Sequence, residues 1–310
     1  MGDLFTVPVI LGILYSSIRL ATPYLYAAIG EAFAQRSGVL NLGVEGMMLM
    51  GAYFGFYVGM TSGNLWLGLL AAAVAGGLMG LLMAVISVTL KAEQGISGIG
   101  LALFGLGLSS LLFKKTLGSV VSISGFKPVP IPLLSDIPLI GDLLFNHNLL
   151  VYGAYLLVPL AAWLLNHTTF GLKVRAVGQN PQAADTLGVS VTRIRYTTVI
   201  LGGVLAGIGG ASLSIGLINL FQENMTNGMG YIAVALVYFG GWRPLGVLGG
   251  ALLFSFINAL QLWIQVKGIP LPSDIAVMMP YILTIVVLAF STRRNLQPAA
   301  LTKAFERGEN

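Results

Sequence analysis

"VGQNPQAADTLGVSV", residues 177–191, separates two long apolar runs in a chain of 310 residues that is 56% hydrophobic and only 9% charged. Asn180 suits the N-cap of a helix, Pro181 its first helical position, and Gly188 the left-handed residue that ends it. The letters between them allow about two turns, a length that is marginal in water on its own. The stretch therefore reads as a short capped helix in a loop between apolar segments, with something outside the chain holding it in place.

Outward from that loop the composition sets the class. Soluble domains average roughly 45–50% apolar and about 25% charged residues; this chain, with 41 glycines, is far from both. Nine apolar segments stand out, at 5–29, 38–60, 65–90, 95–113, 148–166, 196–218, 229–241, 244–266 and 275–291. The expected fold is all-α, a polytopic transmembrane helix bundle of about nine spans forming one domain over 1–310. The seventh segment is short: a dozen residues give roughly 18 Å of helix against a hydrocarbon core of ~30 Å. It reads as a broken or tilted half-helix shielded by its neighbours. The first run lacks a basic leading region and continues to about Ile29, so it reads as a span and not as a cleaved signal. Glycines four apart (Gly51, Gly55 and Gly59; Gly76 and Gly80; Gly203 and Gly207; Gly246 and Gly250) indicate closely approaching helices.

Lys and Arg give the orientation. Lys173, Arg175, Arg193 and Arg195 lie in the loop after the fifth segment, and Arg293, Arg294, Lys303 and Arg307 lie in the tail. With these inside, Arg36, Lys91 and Arg243 fall inside too, which makes eleven basic residues against four outside (Lys114, Lys115, Lys127 and Lys267). The positive-inside rule then puts the N-terminus outside and the C-terminus in the cytoplasm. The excess of basic residues reflects topology and not nucleic-acid binding, because the aromatics sit in apolar runs. The absence of cysteine removes disulfides and thiolate metal sites. His147 and His167 read as solvated interfacial imidazoles, and no metal or cofactor is expected.

Five stretches carry features of interest. In "QRSGVLNLGVEGMMLMGAYFG", residues 35–55, Asn41 and Glu45 share a face if the segment is helical. A carboxylate in a span costs about 2.5–3.5 kcal/mol on insertion scales, so Glu45 faces either a polar path or a partner in the packing. It reads as the one strong intramembrane carboxylate. In residues 91–110, Ser97 is a candidate lining hydroxyl, although such serines commonly bond their own preceding turn. The polar cluster in "NLFQENMTNGMGY", residues 219–231, suits either a hydroxyl-rich solute, an external partner or plain solvation. The proline-rich external loop, 114–147, forbids a long helix and reads as an extended stretch with a short amphipathic piece, serving either as a structural lid or as a contact for an external partner. The basic loop 168–195 carries the short helix of 180–188 as a docking device.

Three blocks carry a resemblance: "SGVLNLGVEGMMLMGA", "VRAVGQNPQAADTLGVSVTRIRYTTVILGGVLAGIGGA" and "GYIAVALVYFGGWRPLGVLGGALLF". Over about residues 20–290 the chain resembles the permeases of bacterial ABC importers for branched-chain amino acids and simple sugars. It looks nearest to the smaller permease of nucleoside importers that work with a basic-membrane-protein-like lipoprotein. The resemblance implies an inner-membrane transport subunit, not an enzyme, that forms a heterodimeric pore with a second permease. It implies a coupling helix carried onto Asn180, Pro181, Ala184, Asp185 and Gly188, seated in a cytoplasmic ATP-binding subunit. It also implies an extracytoplasmic solute-binding lipoprotein, and a substrate path past Asn41, Glu45 and Ser97. The chain has no "GxxxxGK[ST]" of its own, so ATP is bound elsewhere.

Other solutes in the same class are ribose- or galactose-type sugars and branched-chain amino acids. An ion-coupled secondary transporter is the competing class; the scarcity of buried acids and of an internal repeat weighs against it.

Overall fold

The first apolar run does not stop at Ile29. In the computed structural model it continues as one helix, α1 (Val7–Arg36), about 45 Å long at 1.5 Å per residue. From Ala21 to Gln35 every residue of it is buried. The structure describes residues 6–138, 140–266 and 297–307, with isolated positions between 278 and 289.

A turn over 37–43 leads to α2 (Val44–Ser62). Gly63, at φ 67°, reverses the chain, and the Asn64 side chain accepts from the amides of Trp66 and Leu67 to start α3 (Leu65–Ala84). That helix widens into a π-helical turn, Val85–Thr89. Glu93 then caps α4 (Gln94–Thr116); bonds from the Ile96 and Gly95 amides hold its carboxyl below the usual carboxylate range.

The stretch after α4 carries a two-residue pairing, β1 (Val129–Pro130) antiparallel to β2 (Asn146–His147), and the short helix α5 (Ile140–Phe145). Asn148 caps α6 (Leu149–His167), Thr168 caps α7 (Thr169–Gln179), Asn180 caps α8 (Pro181–Thr186) and Ser190 caps α9 (Val191–Ala211). The last of these ends in a second π-helical turn, Ser212–Leu217. Then come α10 (Met229–Phe239) and α11 (Pro244–Val266).

Six helices among the described residues are long and apolar enough to cross a membrane, and α10 is a shorter apolar helix. The helix α2 is 19 residues long and is not among these six. Eight of the nine expected segments thus coincide with helices, while the ninth, 275–291, lies largely outside the described residues. The all-α bundle stands; a count of nine spans is not established by these helices.

Helices α2, α3 and α9 approach most closely, and glycine makes the approach. A Cβ on Gly76 would run into the Gly203 carbonyl, and one on Gly207 into the Ala72 carbonyl. No water drives such helices together, so backbone proximity and dispersion hold the crossing.

His147 is not solvated. It is buried, its Nε2 lies 2.8 Å from the Leu143 carbonyl, and its ring stacks on Tyr15. Burial pushes its pKa below the ordinary histidine value, against the pull of the Leu143 bond.

The crossing gives a direct test. Gly207→Leu should separate α3 from α9 and lower stability by roughly 1–3 kcal/mol or more, seen as an earlier thermal transition in detergent. Gly249→Ala, where a Cβ meets nothing within 4 Å, should be neutral or should raise stability.

Candidate functional site

Two irregular stretches enter the bundle from opposite ends and meet at Glu45. From the end of α1, residues 37–43 climb inward without regular structure. Side chains satisfy their amides: Gln94 Oε1 accepts from Leu40 N at 2.8 Å, Glu31 Oε1 from Asn41 N at 3.0 Å, and Asn41 Oδ1 from Gly43 N at 2.9 Å. From the end of α9, residues 218–228 descend until α10 begins. That helix, 11 residues long, covers only about 17 Å before reaching the level of Arg36. The seventh segment is therefore half irregular and half helical.

Glu45 closes the junction. Its Oε1 accepts from Thr226 Oγ1 at 2.5 Å and from Gly228 N at 2.8 Å, and its Oε2 accepts from Gly230 N at 2.6 Å. A helix start inside a bundle leaves amides without partners, and its dipole favours a negative group there. A buried carboxylate supplies both. Gly230 packs so closely that a Cβ would come within 2.5 Å of the Glu45 Cα.

This arrangement revises the reading of residues 35–55. Asn41 lies in the turn and not on the helix of Glu45, because Gly43 is the N-cap of α2. Asn41 is fully buried, and its amide nitrogen lies 3.4 Å from Met47 Sδ. Ser97 is half-buried and donates to the Glu93 carbonyl at 2.6 Å, back along its own helix. Its neighbour Gly98 packs on Leu42, so α4 adjoins the turn without placing the Ser97 hydroxyl against Asn41 or Glu45. The 219–231 cluster is not simply solvated: Thr226 is buried against Glu45, and the backbone bonds of Ile123 and Phe126 tie the stretch after α4 to Asn219 and Ile215.

Glu45 is also not the one acid within the bundle. Glu31, fully buried in α1, accepts from Gln35 Nε2 at 2.9 Å, and Gln35 Oε1 accepts from Trp242 Nε1 at 2.7 Å. The signal was present in the sequence as Glu31 and Gln35 four apart, beyond the point where hydropathy appeared to end the first span.

The loop after α7 is built locally. Asn180 Oδ1 accepts from Ala183 N at 3.0 Å, Pro181 fills the first helical position, and Gly188 turns at φ 80°. Pro181 and Ala184 face inward and are buried. Asp185 pairs with Arg307 at 2.8 Å. Gln182, Ala183, Thr186 and Leu187 face outward, with Leu187 83% exposed.

The tail 297–307 is strapped onto the same end. Ala300 N donates to Gly178 O, Thr302 N to Gly38 O, and Arg195 Nη1 to Lys303 O, while Glu306 pairs with Lys91. This end thus gathers Arg36, Lys91, Arg195 and the tail. At the other end a cleft of about 640 Å³ opens between the α2–α3 turn and residues 123–127, with Trp66 against Phe126. Among the described residues no cluster of three metal-ligating side chains exists.

With this geometry in place, comparison with known proteins gives a consistent picture. Residues 13–288 match the family model described as branched-chain amino acid transport system / permease component. A putative glucose ABC transporter permease protein of Haloferax volcanii is 38% identical, over 96% of this chain and 98% of that protein. A guanosine ABC transporter permease protein of Bacillus subtilis is 36% identical, over 88% of this chain and 89% of its own length. A nucleoside ABC transporter permease protein of Lactococcus lactis is 36% identical, over 90% and 92%. No solved structure matches the chain.

Replacing Glu45 with Gln keeps its shape but sets an amide donor against one of three donors. Thermal stability should fall by about 1–3 kcal/mol, the usual cost of an unsatisfied buried group. Hydrogen exchange should speed up at residues 228–232 while the amides of α6 stay protected.

Proposed function

The chain belongs to the permease-component family of branched-chain amino acid transport systems, and from that premise we propose that it carries nucleosides as one of two permeases in an ATP-driven importer. The observation that supports this reading best is the outward face of α8. Its inner side is fixed by Pro181, Ala184 and the Asp185–Arg307 pair, while Leu187 stands 83% exposed at the end of a two-turn helix. An apolar side chain held that rigidly on a basic loop suits insertion into a partner's groove.

In this proposal the groove belongs to a cytoplasmic ATP-binding subunit, and the basic end of the bundle faces the cytoplasm, with the N-terminus outside. Residues 168–195 form the coupling loop. Asn180, Pro181, Ala184, Asp185 and Gly188 shape the docking helix; Gln182, Ala183, Thr186 and Leu187 make the contact. A second permease completes the pore, and a solute-binding lipoprotein delivers to the opposite end, where the 114–147 stretch and the cleft beside Trp66 lie. Asn41 and Glu45 act as the gate beside the path, because their polar atoms hold the junction of the two broken segments. Ser97 stands next to that gate on α4.

Nucleoside transport rests on the two relatives named for guanosine and nucleosides. The relative named for glucose supports a second reading, a simple-sugar solute. Uptake by the reconstituted importer, measured with labelled guanosine, uridine and glucose, decides between them: competition by guanosine and not by glucose is expected. Glucose uptake alone would select the second reading.

The docking face has its own test. Leu187→Glu and Ala183→Arg should weaken capture of the ATP-binding subunit by roughly tenfold or more, as expected for a buried anchor, while insertion is unchanged. Ala184→Arg is a poor probe, because Ala184 is 3% exposed and packs inward.

A further inference from the structure

Three arginines meet at the basic end of the bundle, and among the described residues no carboxylate pairs with them. Arg36 ends α1, and its Nε donates to the Trp242 carbonyl at 2.8 Å. That bond fixes the turn holding the next residue, Arg243, which is exposed at the start of α11. On the other side, the last turn of α7 presses on the end of α1, since a Cβ on Gly178 would run into the Arg36 carbonyl. Arg175 lies one turn earlier on α7, half-buried, with its Nε enclosed and without a hydrogen-bond partner. Arg36 feels the positive charge of both Arg175 and Arg243. The ion pairs among the described residues, Lys91–Glu306, Lys114–Glu223 and Arg307–Asp185, involve none of the three.

We propose that Arg36, Arg175 and Arg243 form a binding site for a phosphate group, supplied by the headgroup of an anionic phospholipid. Gathered like charges without a counter-ion raise the energy of the folded chain, and a bound anion offsets that repulsion. Guanidinium forks match phosphate oxygens in pairs. The first amides of α11, a helix of 23 residues, lie beside Arg243 and add the positive end of a dipole.

The surroundings favour a lipid as the source. α7 follows α6, a helix long and apolar enough to cross a membrane, after a single residue. Leu172, three residues before Arg175, is 60% exposed, and Leu245, two residues after Arg243, is 65% exposed. A headgroup at the arginines would let acyl chains lie along these side chains. The site is independent of which solute the permease moves.

The test uses the full-length permease, extracted mildly and analysed by native mass spectrometry after exchange into mixed phosphatidylglycerol and phosphatidylcholine. Phosphatidylglycerol should be retained preferentially. Arg243→Gln and Arg175→Gln should each reduce its retention by about fivefold, the weight of one basic side chain at an anionic surface. Arg193→Gln, an exposed arginine elsewhere on the same end, should leave retention unchanged. Arg243 is exposed, so its variant reports on the site even if the Arg175 variant misfolds.

Equal retention of the two lipids overturns the proposal, as does an equal loss with Arg193→Gln. Displacement of the lipid by millimolar inorganic phosphate would show a phosphate site fed from solution and would overturn the lipid assignment. Unchanged lipid retention with loss of the ATP-binding subunit in Arg243→Gln would make the cluster a protein contact, and the proposal would fail.

Discussion

The carboxylate of Glu45 against the amides of Gly228 and Gly230 is the contact on which the interior of the bundle depends. A bilayer offers no hydrogen bonds, so a chain that breaks its helices at membrane depth must satisfy the exposed backbone itself. Here two segments are broken in opposite senses. The stretch 37–43 is irregular in the half where α10 is helical, and 218–228 is irregular in the half where α2 is helical. Glu45 stands where they join, three donors within 2.8 Å of its two oxygens. A carboxyl group that would be costly in hydrocarbon becomes the cap of a helix whose own N-cap residue offers no side-chain bond.

From this junction a chain of bonded groups runs to the basic end. Asn41 shapes the turn before Glu45, its backbone amide is held by Glu31, Glu31 is held by Gln35, and Gln35 by Trp242, whose carbonyl receives Arg36. The turn at Gly38 accepts from the tail, and the tail reaches Asp185 of α8 through Arg307. A displacement of α8 therefore has a continuous physical route, through packed and hydrogen-bonded groups, to the place where the helices break. Glycine contacts among α2, α3 and α9 keep the rest of the bundle rigid around that route.

Much of this was legible in the sequence because it depends on neighbours in the chain. Hydropathy located eight segments that are helices, the short length of 229–241 marked a half-helix, and Asn180, Pro181 and Gly188 fixed the ends of α8. What escaped depends on residues far apart. Glu45 reads as facing either a polar path or a partner in the packing; the partners, Thr226 and Gly230, lie about 180 residues later. Glu31 was missed because polar Glu31, Gln35 and Arg36 end the hydropathy signal, while the helix goes on and buries them. The sequence alone does not say which face of the two-turn helix is outward; the packing buries Pro181 and Ala184 and leaves Gln182, Ala183, Thr186 and Leu187 exposed. The glycine spacings announced close contact but not which helices would meet.

The central claim is that this permease is driven from its basic end through the short helix α8. The most direct measurement places single cysteines, at 187 or at 133, in a chain that has none of its own, and cross-links them within the assembled importer. The account predicts that position 187 links to the ATP-binding subunit with a yield that changes on adding ATP, while position 133, at the other end, does not. A link to that subunit from position 133, with none from 187, would contradict it.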